Sequence, residues 1–183
     1  MRLVKVLPRF GNSQSSYQPK KILYMSPDAI KVKVKIIDEN GSIPLRMTPG
    51  SAGFDVFSCE NAVIPASSVC NKRKVSIGRA LVRSGIILEI PKGIVGRIGS
   101  RSGLSIKNNI EIGAGWIDND YRGELKIEVK NLSEKPFKIQ VGDRIAQIFF
   151  LALSDVVIKK VAHVSKTSRG NRGFGSTNQM RNP

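Results

Sequence analysis

The sequence predicts an all-β domain of the sandwich, jelly-roll or barrel kind, and three observations carry that reading. Charged and branched residues alternate through Lys31-Val32-Lys33-Val34-Lys35-Ile36, the period of a half-buried strand. Further strand-like runs recur at short spacing with turn chemistry between them. Only Ser102 to Lys107 reads as a short helix. Many short strands joined by regular turns are the signature of such folds.

Taken in order, residues 1–29 are a basic extension and not an element. Arg2, Lys5, Arg9, Lys20 and Lys21 precede the first acidic residue, Asp28, and Pro8, Pro19 and Pro27 break any period. Such a segment is expected to be disordered. Three uses stay open for it: a solubilising tail, a nucleic-acid or partner contact, and an organelle transit peptide.

The domain proper is expected over 30–160. Asp38-Glu39-Asn40-Gly41 closes the first strand as a turn. Strands are then expected at Phe54 to Ser58, Arg79 to Ile90, Gly93 to Ile98, Gly123 to Leu132 and Arg144 to Leu153. Within these, Leu125-Lys126-Ile127-Glu128-Val129-Lys130 alternates without interruption. Pro91-Lys92-Gly93, Lys107-Asn108-Asn109, Asp118-Asn119-Asp120 and Ser133-Glu134-Lys135-Pro136 punctuate the runs. Residues 161–183 form an arm whose glycines prevent it from holding one conformation alone.

Composition narrows the function classes. The 183 residues suit one domain plus tails, with enough chain to fold on its own core. Cys59 and Cys70 are the only cysteines and form no CxxC pair; they read as reduced thiols of a cytosol-like compartment. His163 is the sole histidine, so the ligand count for a structural zinc fails. No apolar run approaches a membrane span, and no apolar core follows Met1, so a soluble protein is expected, cytoplasmic or nuclear unless the extension directs it to an organelle. Thirty Lys and Arg against fourteen Asp and Glu give +16, a field that gathers anions, whether polynucleotides or small phosphates.

The motifs narrow this further. In Arg169-Gly170-Asn171-Arg172-Gly173-Phe174-Gly175-Ser176-Thr177, glycines free backbone N–H groups toward an anion and the hydroxyls donate to phosphate. The arginines add charged forks, and the phenylalanine offers a face for a base. Read alone, the same segment also fits a loose RNA-binding Arg-Gly tail. Gly115-Trp116-Ile117-Asp118-Asn119-Asp120-Tyr121 sets two carboxylates beside aromatic rings, which suits activation of water near a metal–triphosphate or, more plainly, a β-turn. Gly96-Arg97-Ile98-Gly99-Ser100-Arg101-Ser102-Gly103-Leu104 opens a short helix with hydroxyl and N–H donors that suit phosphate, though by itself it is a common strand-to-turn junction.

Together with Ala52-Gly53-Phe54-Asp55-Val56 and Gly142-Asp143-Arg144-Ile145-Ala146-Gln147, these segments resemble, in order, the five motifs of the trimeric dUTPase family. The resemblance runs from Ile36 to Thr177 and omits the extension. It implies a jelly-roll-like β-barrel that assembles as a homotrimer with a flexible C-terminal arm. It also implies Mg²⁺-assisted hydrolysis of dUTP to dUMP and pyrophosphate by water attack at the α-phosphorus. That reaction keeps uracil out of DNA and supplies dUMP for thymidylate synthesis.

By position, the resemblance makes Asp118 the catalytic carboxylate that orients the attacking water. Tyr121 packs against deoxyribose and excludes a 2′-hydroxyl, and a hairpin through Gly113 and Gly115 reads uracil with its main chain. Arg101, Ser102, Gly103 and Gln147 hold phosphates. From the arm, Phe174 stacks on the base while Arg169, Gly175, Ser176 and Thr177 close over the terminal phosphate. Asp55 supports the catalytic water or metal, and Mg²⁺ is held mainly by substrate phosphates and water. Four positions depart from the pattern. Trp116 stands where a small branched residue is usual. Gly99-Ser100 replaces Ala-Pro and is expected to loosen that turn. Arg172 replaces a glycine, and Asn178 follows Thr177 where glycine is common. Two alternatives remain: a dCTP deaminase of the same fold, and a non-catalytic relative that kept only binding.

Overall fold

The computed structural model describes residues 29–70 and 74–172. The extension and its expected uses lie outside these residues, as do Phe174, Gly175, Ser176 and Thr177.

Twelve strands and one helix are present among the described residues: β1 Lys33–Ile36, β2 Phe54–Phe57, β3 Ala62–Ile64, β4 Ser68–Cys70, β5 Lys74–Ser76 and β6 Gly78–Glu89. They continue with β7 Ile94–Gly99, α1 Ser102–Asn108, β8 Ile110–Gly113, β9 Trp116–Ile117, β10 Glu124–Asn131, β11 Phe137–Ile139 and β12 Arg144–Ala152. All pairings are antiparallel. One four-stranded sheet has the order β1-β6-β10-β8 and the other β2-β12-β7-β9, with two small pairs, β11-β3 and β4-β5.

The two larger sheets share one core. Alternation in β10 buries Leu125, Ile127 and Val129, which meet Val82 and Ile86 from β6. From the other sheet come Val56, Ile98, Ile145 and Ile148. Each such side chain withdrawn from water contributes about 1.5–3 kcal/mol. Where β10 enters the core with a polar group, the group is satisfied. Asn131 is fully buried and its amide donates to the carbonyls of Ile64, Pro65 and Lys135 at 3.3, 3.0 and 2.8 Å. Its side-chain oxygen accepts from the Ser133 N–H and hydroxyl.

The long strands and the helix fall where the sequence places them, to within a residue or two. Gly113 ends β8 opposite Glu128 of β10 in one sheet, and Gly115 leads into β9, which pairs with β7 in the other. The segment between them is a corner that passes from sheet to sheet, with Ala114 at φ 44°.

The chain divides into two compact units after Leu153. In the second, residues 154–172 have neither helix nor strand, and a turn spans Thr167 to Arg172. The Arg169 and Arg172 guanidiniums donate to carbonyls of that same turn. Among the described residues no helix is long and apolar enough to cross a membrane.

Candidate active site

Two clefts among the described residues of the first unit gather the expected side chains. One has a volume of about 220 Å³ and is lined by Asp55, Arg101, Ser102, Gly103, Arg144 and Gln147 together with Met47, Ser51 and Gly53. The strand pair β2–β12 supplies Asp55 and Gln147, which are direct register partners. Arg101 caps the start of α1 with an extended backbone and no side-chain bond to the helix. The N–H groups of the first turn, at Ser102 and Gly103, therefore keep their capacity to bind an anion.

Electrostatics in this cleft favour phosphate. Asp55 accepts from Arg101 Nε and from Arg144 Nη1, both at 3.3 Å, so one carboxylate holds two guanidiniums in place. Arg101 also donates to the Arg144 carbonyl at 2.9 Å. Two cations against one anion leave a net positive cleft. The Gln147 amide donates to the Ser100 carbonyl at 2.8 Å and fixes the turn beside it.

That turn is not loosened by Ser100, contrary to the expectation for a lost proline. The Ser100 hydroxyl donates to Glu111 at 2.6 Å and accepts from the Ile112 N–H at 3.0 Å, and Ser105 donates to the same glutamate. A proline could make neither side-chain bond. The two hydroxyl donors, Ser100 first, hold the Glu111 carboxyl below its ordinary pKa.

The second cleft, about 280 Å³, is lined by Asp118, Tyr121, Ala114, Trp116, Ile117, Leu81, Glu124 and Lys126. Here the two carboxylates differ. Glu124 is committed to Arg83, whose Nε lies at 3.1 and 3.2 Å, and to the Gly85 N–H at 3.1 Å. Asp118 is exposed and its side chain has no hydrogen-bond or ion-pair partner among the described residues. Only its carbonyl is engaged, by the Tyr121 N–H at 3.2 Å. The Tyr121 hydroxyl donates to the Glu124 carbonyl at 3.1 Å, and a side chain at Gly123 would collide with the tyrosine ring.

Asp118 and Tyr121 thus share one cleft, and Asp55, Arg101, Ser102, Gly103 and Gln147 share the other. Gly113 and Gly115 flank Ala114 without lining either cleft. Arg169 belongs to the separate C-terminal unit. Sequence reasoning passed over Arg144 as a site residue, although it sits three residues before Gln147 in a quoted motif. The signal was hidden because strand alternation puts residues three apart on opposite faces.

Cationic and hydroxyl donors in one cleft, and a free carboxylate beside a tyrosine in the other, define a class: a β-rich domain equipped to hold a phosphorylated ligand and a water. Comparison with known proteins agrees. The family model described as dUTPase matches residues 39–178. The deoxyuridine 5′-triphosphate nucleotidohydrolase of Paramecium bursaria Chlorella virus 1 is 41% identical over 144 residues, covering 79% of this chain and 95% of the relative. A Dictyostelium discoideum relative, named as the mitochondrial form, is 40% identical over 85% of this chain and 82% of its own length. Among solved structures, the Staphylococcus bacteriophage 80alpha dUTPase with dUPNHPP aligns at a TM-score of 0.72 and 28% identity, over 81% of this chain and 98% of the other. The chain belongs to the dUTPase family.

Proposed function

We propose that this chain hydrolyses dUTP to dUMP and pyrophosphate, with Asp118 orienting and deprotonating the water that attacks the α-phosphorus. The observation that supports this most is the contrast between two aspartates. Asp55 is locked between Arg101 and Arg144, whereas Asp118 stands free beside Tyr121. A general base needs a basic lone pair within reach of water, and a carboxylate bridging two guanidiniums has its charge already committed to them.

In this reading Arg101, Arg144, Ser102, Gly103 and Gln147 neutralise and orient the triphosphate as charge builds on the leaving pyrophosphate. Tyr121 packs on the deoxyribose and refuses a 2′-hydroxyl. The main chain around Gly113 and Gly115 reads the uracil edge. From the arm, Phe174 stacks on the base, and Arg169, Gly175, Ser176 and Thr177 engage the terminal phosphate.

Mg²⁺ fits the donors present. A related solved structure, a point-mutant dUTPase from phage phi11 of S. aureus, is described with a structural Mg(II) ion. Among the described residues no group of three or more His, Cys, Asp or Glu gathers, and Mg²⁺ commonly rests on substrate phosphates and water with one or two carboxylates. Substrate phosphates and water would hold the ion, and Asp55, already bridging Arg101 and Arg144, would only support its water shell. The ion would supply charge neutralisation to the triphosphate.

Separation of the phosphate cleft from the Asp118 cleft supports a homotrimer in which each site draws on more than one chain. The domain then runs over 30–160, with 161–183 as the closing arm. Such an enzyme works where DNA precursors are made, in the cytoplasm or nucleus. The mitochondrial name of the Dictyostelium relative favours an organelle address within residues 1–29, which a fluorescent fusion of that segment tests.

The decisive assay compares pyrophosphate release from dUTP, dCTP, dTTP and UTP. Release from dUTP alone is the expected result. Ammonia from dCTP would convert the reading to a deaminase, and no turnover of any of the four would leave only a binding protein.

A further inference from the structure

Trp116 is the one large aromatic side chain that the second cleft exposes without a mechanistic assignment. It is 61% exposed, which leaves much of an indole in water. It lies two residues before Asp118, and both line the cleft together with Ile117, which also packs against the core cluster. The cleft thus gathers the indole and the free carboxylate. Its cross-strand partner is Arg97, whose guanidinium carbon sits 4.9 Å from the ring centroid. That stack occupies one face of the indole and fixes its plane. A side chain at Gly115 would collide with the same guanidinium, so the glycine keeps the space that lets Arg97 reach the ring. An indole clamped from one side, with area still open beside a tyrosine and a free aspartate, is a prepared surface for a flat ring.

We infer that Trp116 is a substrate-binding residue whose open surface packs against the pyrimidine ring of the nucleotide, with Arg97 as the positioning residue that holds the indole in place. This rests on the dUTP-hydrolysing reading and adds to it a contact made by a side chain where the uracil edge is read by main chain. Arg97 strengthens the arrangement twice. It orders the ring before ligand arrives, which lowers the entropy cost of binding. Its charge is spent on the indole, because a guanidinium over an aromatic face is attracted by the ring quadrupole.

The test uses the fact that Trp116 is the only tryptophan of the 183-residue chain, so the intrinsic fluorescence of the whole protein reports on this ring. Titration of the full chain with dUMP is expected to quench or shift that emission saturably. Trp116→Leu keeps apolar volume and removes the π-face; it should raise the KM for dUTP and the Kd for dUMP by about tenfold, within the range for losing one base–aromatic stack. Trp116→Phe, which keeps a face, should recover most of that loss, with kcat little changed in both variants. Arg97→Leu should weaken dUMP binding by about threefold, as for an exposed cation–π pair.

Emission that ignores saturating dUMP overturns the inference, and so does an unchanged KM in Trp116→Leu. Sedimentation of both Trp116 variants separates the remaining alternative. If they fall apart into smaller species, the ring is a subunit contact and the inference fails. A wild-type protein that neither hydrolyses dUTP nor binds dUMP removes the functional reading itself. Normal hydrolysis with an indifferent Trp116 removes only this contact.

Discussion

Arg144 and Gln147, three residues apart on β12, line the same cleft because the register of β12 against β2 shifts between Arg144 and Ala146. In a regular strand they would face opposite ways. The irregularity turns the guanidinium toward Asp55, 3.3 Å away, and into the cleft. Bulges of this kind recur beside active sites, where they re-aim a side chain while disrupting the ladder only locally.

Replacing Arg144 by Ala is therefore expected to lower kcat/KM for dUTP by about 10²-fold, the usual effect of removing one charge-stabilising donor. Arg144→Lys should recover part of this, since a lysine keeps the charge and loses the planar fork. Steady-state kinetics with dUTP decide the matter, and an Arg144→Ala enzyme at wild-type efficiency would take Arg144 out of the phosphate site.

The same irregularity marks the limit of what the sequence discloses. Long alternating runs such as Leu125 to Lys130 predict their strand and its buried face directly, because period two is a local property. Strands of two or three residues, such as Trp116–Ile117 and Phe137–Ile139, are too short to show a period and are held by their neighbours. Register is likewise non-local. Gly113 and Gly115 are two residues apart in the chain, yet they serve different sheets because β8 finds β10 and β9 finds β7. Asp118 and Tyr121 are close in sequence and stay close in space, so their cleft is legible. The pairing of Asp55 with Arg101 and Arg144 joins residues far apart in the chain and becomes visible only in the folded sheet.

Glu111 makes the turn before α1 sensitive to acid. Its carboxyl accepts from Ser100 and Ser105, which depresses its pKa relative to the unfolded chain. A depressed carboxyl contributes stability that is fully present above the unfolded value, about 4.3 for glutamate, and is lost as pH falls through the lower folded value. At neutral pH, Glu111→Gln should lower stability by roughly 1 kcal/mol, the typical worth of one such bond. The gap between the two proteins should close once pH drops below the folded pKa. Urea denaturation at neutral pH and at progressively lower pH measures it. A gap that widens on acidification would show that the carboxylate is not the stabilising form.

A stop codon at Arg169 removes the glycine-rich end of the arm while sparing every residue of the core, which lies within the first unit. The truncated protein should keep the thermal unfolding profile of the full chain and lose efficient dUTP turnover. Loss of a closing segment exposes the reacting phosphate to bulk water and leaves the catalytic constellation incomplete. Full activity in the truncated protein would mean that Phe174, Ser176 and Thr177 have no part in the reaction.

Asp118→Asn should bind dUMP nearly as well as wild type and turn over dUTP about 10³-fold more slowly, as when a central catalytic group is lost. The variant becomes more informative when mixed with a second one. Arg101→Ala disables the phosphate cleft and leaves Asp118 intact. If each site pairs the Asp118 cleft of one chain with the Arg101 cleft of another, trimers assembled from equal amounts of the two variants regain activity. Random assembly leaves about a quarter of the sites with both halves undamaged, so recovery toward that fraction is the expected result. Co-refolding followed by a pyrophosphate assay supplies the number. Were both clefts of a site drawn from a single chain, every chain in the mixture would carry a defect and activity would stay at the level of the separate variants. Because Asp118 has no partner in its own cleft while Arg101 is fixed by Asp55 in the other, neither substitution need disturb the half-site it does not touch.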